Sequence, residues 1–469
     1  MINKWIFRGF SLMLLLLVIG NSLLLAEGSQ KIENCEGILP MRERVKLMEK
    51  WWKWKRKHVL PMIMREQGID MWIIRNGEAE KYYNNQGPIF VSLLPASHEG
   101  MAYPSQYLAG QEVPNFLMFY DKGDEIEYVE PRDYAHISEL VKQRDPKRIA
   151  IGKYNQERTV RYFVGDNEKM FKALGKKYAS RSVDSWTLGV RWLETMSPEQ
   201  ISLYRHVQRV ANEVIAEAYS NKVVIPDVTT TEDLNWWMIH RYLELGLVME
   251  NYPSITITRS DENMAKYDDP PEYFRKGRTS NGINVVIRRG DIIRCDTDLL
   301  LLGLETDTHM NAYVLREGET DVPEPLKEAL HKVNRNLDKF RKEFKVGRTG
   351  KEIVEASTKI IPEEGVITDM VFHPPPRYIR RWIRGGYYFD PKAYVVGTCW
   401  RPYYYYTSLV SDNHKLYYNT LQAFGPHVRI AVPGWKHGIR LGIEQICVFT
   451  KDGLQYLARS QEHDWYVIK

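Results

Sequence analysis

The sequence predicts a mixed α/β protein, and three observations support this fold class. Short apolar runs that resemble strands alternate with helical stretches up to about residue 190, as at 68–74 and 147–152. A long amphipathic helix then begins after a clear boundary near Ser197. Further on, the stretch Asp291–Val314 is typical of two strands joined by a turn. These patterns together predict an N-terminal α/β part followed by a larger part with an antiparallel sheet.

The bulk composition is that of a globular protein. The chain has 469 residues, with 27% charged and 43% hydrophobic residues and a net charge of +5. This length allows two or three domains with sizeable cores. The locally basic stretch 51–57 is interpreted as the face of an amphipathic helix, so no nucleic-acid partner is predicted. The four cysteines (Cys35, Cys295, Cys399 and Cys447) are scattered, which argues against a thiolate zinc site or a disulfide framework.

The N-terminus is typical of a targeting segment. Lys4 and Arg8 precede an apolar run at 10–19, which is interrupted and resumes at 23–25. The run is too short for a comfortable membrane span, so residues 1–26 are predicted to be a signal peptide, with an uncleaved N-terminal anchor as the alternative. Residues 27–40 are interpreted as a linker. The protein is therefore expected to be exported, periplasmic or secreted, with no later segment that crosses a bilayer.

Several local signals define the elements of the two parts. Residues 116–129 predict a hairpin. Ser197 with Gln200 three residues later predicts a capped helix start, and Thr230 with Asp233 predicts another. The stretch 252–284 is interpreted as polar and rich in turns.

Two carboxylates lie on the two arms of the predicted hairpin. Asp296 and Asp307 stand eleven residues apart, with the turn predicted near Leu302 and Gly303 between them. Because side chains alternate along a strand, both acids can face one side of the sheet while Cys295 faces the other. Hard oxygen ligands held close together favour divalent cations. The alternative is that both aspartates lie at strand ends and face water.

A resemblance to a known family favours the metal site. Asp296, Asp307 and the following Thr308, within TDTHMNAYVLREGE, resemble the paired aspartates of the pita-bread metallopeptidases, which include creatinase, methionine aminopeptidase, prolidase and aminopeptidase P. The run is most similar to bacterial aminopeptidase P-like proteins. A second match at 438–457 puts Glu444 at a ligand position.

The resemblance implies a domain organisation. Residues 41–190 correspond to a creatinase-like N-terminal α/β domain. Residues 191–469 correspond to a pita-bread catalytic domain, in which helices cover a curved antiparallel sheet.

The chain departs from this family at several positions. Asp298 stands where a glycine is usual, and Gly425 occupies the position of a second glutamate ligand. The stretch 252–284 contains no histidine, and tyrosines at 403–406 stand where a His-Gly-His cluster is expected. His373 is the one candidate for a matched catalytic histidine. His427, two residues after Gly425, is an alternative ligand.

The resemblance implies a metal-dependent aminopeptidase that removes the residue before a proline from a peptide substrate. Asp296, Asp307 and Glu444 are expected to bind two divalent cations (manganese, cobalt or zinc), or only one or none because of Gly425. The alternative is a catalytically inactive homologue that acts as a binding or scaffold protein. A creatinase-like reaction without metal needs a well-placed histidine base, and no histidine matches. The sequence does not decide between a monomer and a homodimer.

Overall fold

A computed structural model describes residues 41–75, 93, 114–152, 167–249, 252–302, 304–358, 366–369, 372–373 and 415–469. Residues Pro40–Lys469 form one compact unit. The predicted targeting segment and linker lie outside the described residues, and the division into domains at residue 190 stays a prediction. No helix within the described ranges is long and apolar enough to cross a membrane.

The helices of the described ranges follow here in chain order. They are α1 (Met41–Glu66), α2 (Tyr134–Arg144), α3 (Asn167–Ala179), α4 (Trp186–Glu194), α5 (Pro198–Ala218), α6 (Thr231–Glu244), α7 (Asp261–Lys266), α8 (Glu324–Arg341) and α9 (Gly350–Thr358).

The strands of the same ranges are more numerous. They are β1 (Met71–Arg75), β2 (Phe116–Asp121), β3 (Ile126–Val129), β4 (Ile149–Ile151), β5 (Ser182–Asp184), β6 (Val248–Met249), β7 (Ser254–Thr258), β8 (Phe274–Arg275), β9 (Arg278–Thr279), β10 (Ile292–Thr297), β11 (Leu299–Leu301), β12 (Leu304–Glu305), β13 (Thr308–Val314), β14 (Val366–Asp369), β15 (Phe372–His373), β16 (Thr420–Phe424), β17 (His427–Val432), β18 (Trp435–Gly442), β19 (Gln445–Thr450), β20 (Gly453–Tyr456) and β21 (Tyr466–Ile468).

The N-terminal part is built around a five-stranded sheet in the order β3-β2-β1-β4-β5. Side chains of β1 alternate between its two faces, as the strand period requires. Trp72 packs into one apolar cluster with residues of α1, whereas Met71 and Ile73 pack into another cluster with residues of α2 and α3. Helices therefore cover both faces, because both faces of the sheet are apolar. The predicted hairpin at 116–129 is confirmed as β2 and β3.

The C-terminal part contains a six-stranded sheet in the order β21-β13-β10-β7-β9-β8, with β10 at its interior. Smaller sheets lie in the orders β14-β17-β18 and β15-β16-β19-β20. A large apolar cluster joins α8 to strands β17 and β18, with Leu330, Val333, Ile430 and Leu441 among its members. Strand β10 pairs antiparallel with β13, as predicted, and also with β7. The pairs β16 with β19 and β17 with β18 are antiparallel too, whereas β13 pairs in parallel with β21.

The predicted helix starts are confirmed. The Ser197 side chain accepts a hydrogen bond from the Gln200 backbone N–H while the Gln200 side chain accepts one from Ser197, and α5 begins with a proline at its first position. Thr230 and Asp233 form the same reciprocal arrangement at the start of α6.

The predicted hairpin has a more complex form than two strands and a turn. The long pair is β10 with β13, and a short side pair, β11 with β12, stands between them in the chain. Leu302 adopts a φ of 54° in the turn of that side pair, and Gly303 lies outside the described residues. The polar stretch 252–284 contributes β7, which pairs with β10 along most of its length.

Candidate metal centre

Three metal-ligating side chains converge where β10 and β13 pair. The register places Asp296 of β10 opposite His309 of β13, and Asp307 directly precedes β13. The His309 Nε2 atom lies 3.0 Å from Asp296 Oδ2 and 3.7 Å from Asp307 Oδ1. One donor atom from each of the three residues lies within 4.8 Å of the others. The two aspartates are thus neighbours, but they are joined through a histidine instead of facing each other across the strand pair.

Glu444 approaches the same cluster from another sheet. It stands between β18 and β19, and its backbone carbonyl accepts a hydrogen bond of 3.0 Å from the His309 N–H. Its carboxylate Oε2 lies 3.0 Å from His309 Nδ1, and the residue is only 2% exposed. Carboxylate oxygens of Asp296, Asp307 and Glu444 thus all lie within 3.7 Å of the His309 ring, while their role as metal ligands stays a prediction.

A buried glutamine fixes the position of these strands relative to α5. Gln208 Nε2 donates to Thr308 Oγ1 at 3.0 Å, and Gln208 Oε1 accepts from the Ile446 N–H at 3.2 Å. Thr308 follows Asp307 and Ile446 lies two residues after Glu444. One side chain of the helix therefore holds the chain segments next to two of the carboxylates.

Two glycines make room for large side chains opposite them. A Cβ atom added to Gly425 would lie 2.3 Å from Glu444 Cδ, and one added to Gly442 would lie 2.1 Å from His427 Cδ2. Phe424 pairs with Gln445 and His427 pairs with Gly442, so Gly425 stands opposite Glu444 in the same register. The carboxylate of Glu444 thus fills the space opposite Gly425, the position at which the family pattern has a second glutamate ligand.

Basic groups line the same pocket. Arg294 lies two residues before Asp296 on β10, and its Nη2 atom lies 2.8 Å from His309 Nδ1 and 3.3 Å from His427 Nε2. The rings of His309 and His427 are 5.4 Å apart between their centroids. His427 is therefore part of the pocket, although it does not belong to the group of converging donors.

Comparison with known proteins identifies the family. The sequence profile described as metallopeptidase family M24 matches residues 202–448, which include Asp296, Asp307 and Glu444. The chain belongs to metallopeptidase family M24. No curated protein sequence matches this M24 chain significantly.

Solved structures with the same fold extend the similarity to the N-terminal part. Proline aminopeptidase P II from Yersinia pestis is 14% identical, with 89% of this chain and 97% of that chain covered and a TM-score of 0.50. A single-site variant of Escherichia coli aminopeptidase P is 11% identical, with coverages of 88% and 96% and a TM-score of 0.51. A candidate aminopeptidase P from Bacillus anthracis is 11% identical, with coverages of 89% and 96% and a TM-score of 0.51. The predicted pita-bread fold of this M24 protein is confirmed.

The donor set of the M24 chain fits a divalent cation. Carboxylate oxygens and an imidazole nitrogen are ligands that manganese, cobalt and zinc accept. Asp307 and His309 are 3% and 5% exposed, whereas the side chain of Asp296 retains 30% of its exposure. A cation bound there would be held by two buried residues and reached by solvent or substrate beside Asp296.

The protonation states follow from burial and the neighbouring charges. Burial, helped by the guanidinium of Arg294, lowers the pKa of His309, although Asp296 acts in the opposite direction. Burial and the nearby Arg440 lower the pKa of His427 well below its usual range. Burial would raise the pKa of Asp296, but His309 and Arg294 outweigh it and lower that pKa. Neutral histidines beside an ionised aspartate are the forms that bind a cation.

The structure brings three of the predicted site residues together. Asp296, Asp307 and Glu444 lie in one pocket, whereas the backbone of His373 pairs with Ala423 in β15 and its catalytic role stays a prediction. His309 was not predicted. Its position two residues after Asp307 places it on the same strand face as that aspartate, and this alternation is the signal that could have identified it.

Proposed function

We propose that this M24 protein is a metal-dependent aminopeptidase that hydrolyses the bond before a proline at the second position of a peptide. The observation that carries the proposal is the convergence of Asp296, Asp307 and His309 donor atoms within 4.8 Å of one another. Membership of the M24 family supports peptide-bond hydrolysis, and the preference for proline rests on the resemblance of the aspartate motif to aminopeptidase P-like proteins.

The residues of the chain have separable roles in this reaction. Asp296, Asp307 and His309 would hold a divalent cation, which when bound would supply polarisation of the scissile carbonyl and activation of a water. His309 Nε2 lies 3.0 Å from Asp296 Oδ2 and 3.7 Å from Asp307 Oδ1, while Nδ1 lies 3.0 Å from Glu444 Oε2, so the carboxylates hold the ring in place. Asp296 has the most exposed side chain of the three, and its negative charge suits the α-ammonium group at the N-terminus of a peptide.

A peptide assay tests this function. The purified full chain, supplied with Mn²⁺, Co²⁺ or Zn²⁺, is expected to release the first residue from Ala-Pro-Ala but not from the matched peptide Ala-Ala-Ala. Asp307→Asn should reduce the rate by at least about 100-fold, because it removes an ionised ligand and one negative charge from the site. The exposed Asp452→Asn is the matched control and should retain the rate.

The outcomes separate activity from specificity. Equal hydrolysis of the two peptides would contradict the preference for proline. No hydrolysis with any of the three metals, or hydrolysis that survives Asp307→Asn, would contradict the aminopeptidase itself.

A second function is favoured by Gly425. Because this glycine provides no ligand where the family pattern has a glutamate, the chain is also a candidate for a binding or scaffold protein that has lost its chemistry. Retained binding of Xaa-Pro peptides without turnover, measured by calorimetry on the metal-loaded chain, would support this alternative and count against the enzyme.

We also propose that the protein is exported. The support is the charged and apolar pattern of residues 1–26. Terminal sequencing of the full-length product should find Glu27 first, whereas an intact residue 1 in the membrane fraction would establish an anchor instead.

A further inference from the structure

The carboxylate pocket contains a buried guanidinium of its own. Arg294 is 7% exposed, and it faces the same side of β10 as Asp296 because the two residues are two positions apart. Its Nη2 atom lies 3.7 Å from Asp296 Oδ2 and 2.8 Å from His309 Nδ1. A fixed positive charge therefore lies within contact distance of two groups of the converging cluster.

The Glu444 side chain occupies the space opposite Gly425. An added Cβ at Gly425 would lie 2.4 Å from Glu444 Oε2, so a longer side chain at residue 425 and the present position of Glu444 exclude each other. Glu444 is 2% exposed and is held at His309. Among the described residues, the carboxylates paired with His309 are those of Asp296, Asp307 and Glu444, and residue 425 adds no further ligand for a second cation.

The charges lead to the same conclusion. Three carboxylates (Asp296, Asp307 and Glu444) and the guanidinium of Arg294 sum to a charge of −2 when the carboxylates are ionised and the histidines are neutral. One divalent cation neutralises this sum, whereas two would leave an excess of +2 among side chains that are mostly buried, which is unfavourable. Arg440 and Arg278 add positive potential at His427.

We propose that the pocket binds a single divalent cation through Asp296, Asp307 and His309, and that the guanidinium of Arg294 takes the place of a second cation. This inference deepens the proposed function and rests on it for the role of the cation, but its test does not require turnover. Arg294 acts as a positioning residue: it balances the carboxylate charge and contacts His309 and His427.

The stoichiometry of Mn²⁺ is the direct test. The full chain is stripped with a chelator and titrated with MnCl₂ by calorimetry, and the loaded sample is examined by electron paramagnetic resonance. One equivalent of Mn²⁺ per chain and the spectrum of an isolated ion are expected. Two equivalents, a spectrum of spin-coupled ions, or no binding would each overturn the proposal.

Two pairs of variants test the named residues. Arg294→Met should bind the first Mn²⁺ at least about tenfold more tightly or gain a second equivalent, because it removes a buried positive charge. Arg275→Met, an exposed residue of the same sheet, removes the same net charge and should bind like the wild type. His309→Gln should weaken binding at least about tenfold, whereas the exposed His437→Gln should not.

Folding of each variant is checked by its thermal unfolding and far-ultraviolet circular dichroism. The wild-type spectrum of bound Mn²⁺ keeps the proposal testable even if a variant does not fold. Unchanged Mn²⁺ affinity and stoichiometry in folded Arg294→Met would overturn the role of Arg294.

The results for the inference and for the proposed function can be told apart. One bound Mn²⁺ without peptide hydrolysis would support the single-cation pocket and reject the aminopeptidase. Two bound Mn²⁺ with hydrolysis would overturn the single-cation pocket and leave the aminopeptidase intact.

Discussion

At Gly425 the absence of a side chain makes room for the carboxylate of Glu444. The backbone here does not need a glycine for its conformation, since Gly425 is not among the residues with positive φ. The requirement comes instead from the 2.3 Å between an added Cβ and Glu444 Cδ. The glycine is therefore a feature of the pocket and not of a turn.

We expect Gly425→Ala to lower the free energy of unfolding by ~1–3 kcal/mol, because overpacking a buried site forces its neighbours to shift. Truncation of the opposing side chain removes the clash, so Gly425→Ala should cost less when Glu444→Ala is also present. Urea denaturation of the two single variants and the double variant measures this coupling. Strict additivity of the three free energies would show that the two residues do not compete for space.

The residues of the pocket differ in how far the sequence predicts them. The motif around Asp296 and Asp307 and the second match around Glu444 identify three acids that do lie together. His309 and Arg294 were missed, because neither stands at a position that the family pattern marks. Their contacts arise from the register of β10 against β13 and from the bridge between His309 and Glu444. The bridge joins β13 to a segment more than 130 residues later in the chain, and no local pattern specifies it.

Among the elements, α5 has the clearest start signal in the sequence. Ser197 and Gln200 satisfy each other's backbone N–H groups, and the proline at the first helical position needs no partner for its nitrogen. This helix also carries Gln208, which bonds to Thr308 and Ile446 beside the pocket. The start of the helix and the position of the carboxylates are thus connected through one rigid element.

We expect Ser197→Ala to lower the free energy of unfolding by about 1 kcal/mol, since the first turn loses a side-chain acceptor for the Gln200 N–H. Ser197→Thr keeps a hydroxyl at the same position and is the matched control. Urea denaturation followed by circular dichroism provides the comparison. An equal loss in both variants would assign the effect to packing of the buried serine instead of capping.

Helix ends were easier to predict than the strands next to the site. The capping signals at Ser197 and Thr230 are local, so the sequence alone identifies them. The strand β7 was interpreted as part of a polar stretch, because SITIT contains polar residues at alternate positions. Thr256 and Thr258 are nevertheless buried, since β7 lies between β10 and β9 in the sheet. Burial of these hydroxyl side chains depends on neighbours that come from elsewhere in the chain.

At the scale of the whole molecule, residues 191–196 link the N-terminal helices to the C-terminal sheet. The guanidinium of Arg191 lies 3.5 Å from the centroid of the Tyr417 ring, and the Met196 N–H donates to the Asn419 carbonyl at 3.0 Å. Within the N-terminal part, the Lys55 ammonium of α1 donates a hydrogen bond to the Trp192 carbonyl at the end of α4. The basic helix face predicted at 51–57 is thus partly wrong, because Lys55 is buried in this link.

This link predicts a dependence of stability on pH. Burial lowers the pKa of Lys55 from 10.5 to about 7, against the opposing effect of Glu194. Between these values the unfolded chain binds a proton that the folded chain does not, so the folded state should become more stable as pH rises from 7 towards 10.

We expect the free energy of unfolding to increase by up to about 1.4 kcal/mol per pH unit between pH 7 and 9 through this residue. Lys55→Met should abolish that increase, and the exposed Lys57→Met should retain it. Guanidinium denaturation at pH 7, 8 and 9 makes the comparison. The same slope in Lys55→Met and the wild type would contradict a neutral lysine in the link.

The space opposite Gly425 makes residues 425 and 444 depend on each other. An added Cβ at residue 425 would lie 2.3 Å from Glu444 Cδ, so a larger residue there requires the Glu444 side chain to leave its place 3.0 Å from His309 Nδ1. Redesign of this side of the pocket therefore has to treat the two positions as one unit.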